Sequence, residues 1–477
     1  MNAHSDSPAP AGHVVVIGGG IAGLAAAHQL LGTGARVTVL EGSGRVGGKL
    51  HAGRIEGIPV DLGAESMLAR RPEAVALARA VGLGAELQPP ATSSARLWNR
   101  GALTPMPKGH VMGVPADATG LDGVLSTDGL RRIAQDRELP PTEIGEDIAL
   151  GGFVAARMGR EVVDRLVEPL LGGVYAGDVY RTSMRAAVPA LYEAARGHRT
   201  LGEAVRAIQQ RAAESAAPAP TPVFMGLAGG IGTLPLAVAD AIRAGGGDVL
   251  VHRPALELRR TGTGWWIRSD DRTFDADAVV LAVPAWSASA LLEQVSPAAA
   301  AELAAIEYAS MSLITLAFRR SELNLPDGSG FLVPPVDGHT IKAATFSSQK
   351  WSWSDADPEL AVLRTSLGRY GDEEHLHRED ADLVEAALHD LAEATGVHAK
   401  PVASEVTRWI GGLPQYPVGH LARVARLRGA VAGLPGLRVC GAAYDGVGIP
   451  ACIASARRAA NEITATLASG TVSDAGQ

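Results

Sequence analysis

Gly18, Gly20 and Gly23 stand at G-x-G-x-x-G spacing, and Glu41 follows about twenty residues on. Each position has a distinct chemical use. The first glycine permits a tight turn, the second lets a pyrophosphate approach the backbone, and the third lets a helix pack closely on a strand. Free N–H groups at a helix N-terminus then hold the anion, and an acid at the end of the next strand accepts from a ribose 2′-hydroxyl. Glu41 in that role selects FAD or NAD over NADP, because a carboxylate repels a 2′-phosphate. Gly18, Gly19, Gly20, Ile21, Ala22, Gly23 and Glu41 are therefore the first cofactor-binding set.

The elements that must position them are present in the required order. Val14-Val15-Val16-Ile17 reads as a buried parallel strand, a helical stretch runs from the glycines to Leu31, and Arg36 to Leu40 reads as a second strand. A glycine motif alone arises by chance; strand, helix and terminal acid in register make a dinucleotide site the reading to carry forward. Directly after the acid comes Gly42-Ser43-Gly44-Arg45-Val46-Gly47-Gly48-Lys49.

Composition bounds the rest. The chain has 477 residues, more than one core normally serves, and 47% of them are hydrophobic. The formal net charge is −8 without a basic block, which disfavours nucleic acid as a partner. Two cysteines, Cys440 and Cys452, build neither a disulfide framework nor a four-cysteine zinc site. They fit a reducing compartment, with the cytoplasm as the default. The run from Val14 to Leu31 is broken by glycines and by His28-Gln29, so it reads as neither a signal peptide nor a membrane span. No Ser-His-Asp or metal-ligating constellation has convincing spacing.

The run ending Arg45-Val46-Gly47-Gly48-Lys49 resembles the R-x-G-G-[RK] signature of the FAD-dependent amine oxidase and protoporphyrinogen oxidase superfamily. Asp61-Leu62-Gly63-Ala64-Glu65-Ser66 is similar to that family's next flavin-contacting turn. Four further segments resemble its porphyrinogen oxidase branch, which acts on coproporphyrinogen or protoporphyrinogen. These are Glu168 onward through Gly172-Gly173-Val174-Tyr175-Ala176-Gly177, then Gly229-Gly230-Ile231-Gly232-Thr233-Leu234-Pro235. Arg408-Trp409 with Leu413 to His420, and Gly446-Val447-Gly448-Ile449-Pro450, complete the set. The resemblance covers nearly the whole chain. Ala255, Asp445, Ala451 and Ala456 depart from it, which leaves adenine and flavin-edge details open.

The resemblance implies an α/β fold: a Rossmann-like FAD-binding domain (13–90, 225–300 and 405–470) interleaved with a mixed-sheet substrate domain (91–117 and 305–404) and a mainly helical domain (118–224). The Ala-Pro run Ala213 to Pro222 reads as a linker. It further implies FAD contacts at Gly42, Lys49, Gly63, Ala64, Glu65, Ser66, Ala255, Trp409, Val447, Gly448 and Ile449. Arg96 and Gly173 are the implied substrate-binding residues, Arg96 as a propionate partner, with Lys342, Lys350 and Arg364 as weaker candidates. No catalytic side chain is expected, since a porphyrinogen methylene bridge releases hydride to the flavin and a pyrrole N–H releases the proton. His420, Tyr175 and Tyr416 are read as structural. The implied reaction is oxygen-dependent oxidation of coproporphyrinogen III in heme biosynthesis. Protoporphyrinogen IX oxidation is the alternative, and amine oxidation or non-catalytic tetrapyrrole carriage stands lower. Peripheral membrane docking or contact with the next enzyme remains open.

Overall fold

The computed structural model describes residues 12–215 and 222–474. Its organising element is a five-stranded parallel sheet in the order Asp248–Leu250, Arg36–Leu40, His13–Ile17, Ala278–Leu281, Leu437–Val439. These strands come from three separated stretches of chain, as interleaving requires. Both faces are covered. Val14 and Val16 enter one core with helices Ile21–Leu31 and Thr233–Ala244, while Val15 and Ile17 enter another with helices Ala285–Leu292 and His420–Ala432. An unbroken Val/Ile run is what a doubly covered strand needs. Helix Ile21–Leu31 is rich in alanine and packs against the C-terminal helix Ile449–Asp474.

A second, mixed sheet has seven strands: Ala403–Pro414, Tyr308–Arg319, Leu360–Leu367, Ile341–Thr345, Gly330–Leu332, Ala95–Asn99, Ala102–Pro105. Strand alternation gives it two unlike faces. On the outer face Ile314, Leu316, Phe318, Leu363, Phe331 and Trp98 pack with residues of helix Asp380–Thr395. On the inner face Ala317 and Val362 meet the hairpin Ala52–Ile55/Ile58–Asp61, and Leu97 and Leu332 meet the helical domain.

Two expected boundaries move. Strand Ala403–Pro414, which the boundary at 405 would give to the FAD domain, is the edge strand of the seven-stranded sheet and pairs with Tyr308–Arg319. Within 91–117, Val114 is buried in the helical core and Val111 and Met112 pack against it, so that end of the segment joins the helical domain. In the helical domain the short helix Arg160–Val162 passes into a π-helical turn at Val163–Val167 before helix Glu168–Tyr175. Most of the Ala-Pro run, residues 216–221, lies outside the described residues. No described helix is long and apolar enough to cross a membrane.

Candidate functional site

The glycine turn is built as its spacing requires, and each glycine is held for a different reason. A Cβ on Gly18 would lie 2.5 Å from the Ala282 carbonyl oxygen, and one on Gly23 would lie 1.9 Å from the Gly18 oxygen, so neither tolerates a side chain. A Cβ on Gly20 meets nothing within 4 Å. The second glycine thus opens space where a pyrophosphate would approach. Gly20 caps helix Ile21–Leu31 without a side-chain hydrogen bond, and the first turn holds no acid. The orphan N–H groups around Ile21, Ala22 and Gly23 and the positive helix end are left for an anion.

Glu41 closes the turn from the next strand. Gly19 N–H donates to its Oε2 at 2.7 Å, and Ser43 N–H and Oγ–H donate to its Oε1 at 2.8 and 2.7 Å. Oε1 is filled by its two donors, and Oε2, with one, keeps a lone pair for a ribose hydroxyl. A Cβ on Gly19 would fall 2.9 Å from that of Glu41, so this glycine serves the acid's approach. The second glycine pair then lies across the first: Gly47 N–H donates to Gly19 O at 2.8 Å, and a Cβ on Gly48 would sit 3.4 Å from Gly20 Cα. Gly42 packs beside Pro254, and Arg253 N–H donates to Glu41 O, which brings the segment carrying Ala255 alongside the acid.

The turn after Asp61 is held from two domains. Asp61 accepts from Ile231 N–H and Gly232 N–H at 2.9 and 2.8 Å, and burial still pushes its carboxyl up to about 7. Ala64 N–H donates to Lys49 O at 3.1 Å, and a Cβ on Gly63 would lie 2.0 Å from that oxygen. From the substrate domain, Arg364 donates to the carbonyls of Asp61 and Gly63 at 2.7 and 2.8 Å and reaches Glu65 at 3.2 Å; Lys350 pairs with the same carboxylate. Burial alone would raise Glu65, but the Lys350 ammonium and Arg364 guanidinium overcome it and hold the carboxyl at about 2. The Glu65 side chain is therefore a clamp between domains, and the backbone of the Gly63–Ser66 turn is what it leaves for a cofactor. Lys350 and Arg364, expected as weaker propionate partners, are committed to this clamp.

Trp409 donates from Nε1 to Leu62 O at 2.9 Å and lies under the Arg45 guanidinium, 5.8 Å from its ring centroid. Lys49 stands 5.9 Å from the Tyr308 ring, and burial lowers its pKa. At the C-terminal edge of the parallel sheet, Tyr416 Oη donates to Ala442 O and accepts from Gly446 N–H at 3.0 Å. Asp445 accepts from Arg428 and Ser455, each at 2.6 Å. These contacts fix the loop that delivers Val447, Gly448 and Ile449 to the start of the last helix. Tyr416, expected to be structural, packs on Tyr175 and His420 and also holds this loop through its hydroxyl. The Cys452 thiol is buried beside the carbonyls of Gly446 and Val447, and burial pushes its pKa up to about 12, so it stays protonated.

The two substrate expectations part company. Gly173 lies on the helical-domain helix Glu168–Tyr175 with Leu332 of the inner sheet face 3.9 Å from its Cβ position. Arg96 falls on the outer face: its strand partner is Phe331 and its face-mate Trp98, both in the outer cluster, while Leu97 pairs with Leu332 on the inner side. Arg96 Nε donates to Asp327 O at 3.2 Å. Strand parity thus removes Arg96 from the face that meets the flavin-contacting turn. His339 also gathers with Asp390 and Glu393 of helix Asp380–Thr395, their ligand atoms within 4.8 Å of one another, outside this site.

The residues present fit FAD: an open cradle at Gly20, an uncapped helix N-terminus, a ribose acid and a second glycine pair laid across the first. Comparison with known proteins agrees. The family described as flavin containing amine oxidoreductase matches residues 21–464. The coproporphyrinogen III oxidase of Mycobacterium bovis is 36% identical over 459 residues, covering 95% of this chain and 97% of that protein. The Bacillus subtilis coproporphyrinogen III oxidase is 32% identical, with 94% and 97% covered. A solved structure from Exiguobacterium, proposed to be a protoporphyrinogen oxidase, superposes with a TM-score of 0.85 at 32% identity, covering 95% of this chain and 98% of that one.

Proposed function

Because the chain belongs to the porphyrinogen oxidase branch of the flavin-containing amine oxidoreductases, we propose that it oxidises coproporphyrinogen III to coproporphyrin III with oxygen as acceptor. The observation that carries this reading is the full-length likeness to coproporphyrinogen III oxidases, which spans all three domains. FAD, when bound, would supply a hydride acceptor for a methylene bridge and pass the electron pair to oxygen as hydrogen peroxide. Six electrons would leave in three such rounds as three hydrides from methylene bridges. Of the three accompanying protons two come from pyrrole N–H groups and one from the remaining methylene bridge by tautomerisation, so that four N–H and four methylene bridges become two N–H and four methine bridges.

The chain's own residues place and hold. The N–H groups at Ile21 to Gly23 would bind the pyrophosphate and Glu41 the ribose, while Gly63 to Ser66, Trp409 and Val447 to Ile449 border the ring end. Ala255 would meet the adenine through its backbone, and Gly173 would let the substrate pass close to the helix. Burial keeps Cys452 protonated, the Ile231 and Gly232 N–H groups hold Asp61, and Lys350 and Arg364 hold Glu65, so these groups serve structure while the substrate supplies its own proton-loss sites. The protein contributes placement and a dry, fixed electrostatic setting.

Protoporphyrinogen IX is the second reading, supported by the Exiguobacterium structure. Amine oxidation stands lower, because Gly448-Ile449-Pro450 supplies no aromatic cage before the last helix. The ratio of kcat/KM for coproporphyrinogen III and protoporphyrinogen IX under air tests the assignment. A ratio above ten supports the four-propionate substrate, and a ratio below one transfers the assignment to protoporphyrinogen IX.

A further inference from the structure

Glu168, Lys342 and Arg369 form a buried charged trio where the helical domain meets the inner face of the substrate sheet. Their exposures are 9%, 4% and 9%. Lys342 Nζ and Glu168 Oε2 have no hydrogen-bond partner among the described residues, whereas Arg369 donates to Val333 O at 3.1 Å. A buried ammonium with no acceptor is costly, and so is a buried carboxylate oxygen with no donor. Burial pushes Glu168 up and Lys342 down, each to about 7, although the two charges and Arg369 lie within electrostatic reach of one another. Asp164 and Asp178, partly buried, and Asp372, at the surface, complete the charges facing the trio.

Two backbone irregularities aim these groups. Along strand Ile341–Thr345 the pairing with Leu360–Leu367 shifts register between Ile341 and Ala343, so Lys342 is the extra residue of a bulge. A bulge re-aims a side chain, and here the ammonium comes into the field of Glu168. On the other side Glu168 follows directly on the π-helical turn Val163–Val167, a feature that recurs at functional sites. The same helix carries Gly173 against Leu332, and its Tyr175 lies 5.6 Å from Tyr416, which holds the flavin-end loop. At 1.5 Å per residue the helix places Glu168 about 10 Å from its Tyr175 end.

Among the three buried groups two cations face one anion, and the Lys342 ammonium has no hydrogen-bond acceptor among the described residues. We propose that Lys342, backed by Arg369 and facing Glu168, receives a carboxylate substituent of the tetrapyrrole. The proposal rests on the porphyrinogen reading above and takes the place left by Arg96 on the outer face. An incoming carboxylate would supply the Lys342 ammonium with the acceptor it lacks.

The test is equilibrium binding of coproporphyrin III and of its tetramethyl ester to the FAD-loaded protein, with flavin content confirming folding. Lys342→Met should weaken the acid about ten- to a hundredfold and leave the ester within about twofold. Lys342→Arg should restore part of the loss. Glu168→Gln, which removes the competing anion, should tighten the acid and not the ester, and it decides the matter if Lys342→Met fails to load flavin. Equal effects on acid and ester, or none on the acid, overturn the proposal. Failure of any porphyrinogen to reduce the wild-type flavin would overturn the functional reading instead, and these binding ratios are measured independently of it.

Discussion

Replacing Glu65 with glutamine tests whether the flavin-contacting turn is held by the substrate domain. The substitution keeps shape but leaves Lys350 and Arg364 buried together without an anion, both side chains being less than one-fifth exposed. Removing one member of a buried ion pair costs about 3–5 kcal/mol. The titration of Glu65 gives the same scale: a carboxyl held at about 2 instead of an ordinary 4.5 is worth about 3 kcal/mol at neutral pH. At about 2.1 cal/mol/K per residue, a chain of 477 residues loses about 1 °C for each kcal/mol. Glu65→Gln should therefore lower the holoenzyme Tm by about 3–5 °C at pH 7 and raise the dissociation constant for FAD. Because the folded pKa is depressed, the contribution is complete above pH 4.5 and disappears as pH falls toward 2. The gap between wild type and variant should then shrink by about half between pH 5 and pH 3. Glu73→Gln, which removes a pair whose Arg71 side chain is 45% exposed, is the control and should shift Tm by less than about 1 °C. Scanning fluorimetry over this pH range refutes the clamp if Glu65→Gln behaves like Glu73→Gln.

Other substitutions read other parts of the site. Gly20→Val should fold with an unchanged apoprotein Tm yet purify colourless, since its Cβ enters open space, whereas Gly23→Val should fail to fold against the Gly18 oxygen; a yellow Gly20→Val protein would contradict the cradle. Tyr416→Phe should cost about 1–3 kcal/mol by stranding Gly446 N–H, read as weaker FAD retention on dialysis, and normal retention would show that the hydroxyl does not hold the loop. Arg96→Ala should leave kcat/KM for coproporphyrinogen III within about twofold, as for a residue outside the site, and a tenfold loss would return Arg96 to the substrate.

The glycine fingerprint was legible because its demands are local: a turn, a close approach and a helix start lie within a few residues, and Glu41 sits at the end of the adjacent strand. Its long-range consequences were not. The Glu65 clamp joins residues 285 positions apart, and neither Lys350 nor Arg364 carries a local sign of its partner. Arg96 shows the limit most plainly. Its strand alternates as expected, yet which side faces the flavin is decided by parallel pairing with Gly330–Leu332, and the sequence of 95–99 does not contain that information. The domain boundary at 405 failed for a related reason, because strand Ala403–Pro414 belongs to one sheet while its Trp409 reaches the other domain. Lys342 stands in the sequence only as one of three weaker propionate candidates, because the bulge that re-aims it overrides the parity its neighbours suggest.

The most direct measurement of the central claim is anaerobic mixing of the FAD-loaded protein with coproporphyrinogen III while flavin absorbance is followed. The account predicts rapid bleaching, and on admission of oxygen the return of the oxidised flavin spectrum with appearance of coproporphyrin III and hydrogen peroxide. A flavin that stays oxidised with coproporphyrinogen III and protoporphyrinogen IX, but is bleached by a primary amine, would contradict it.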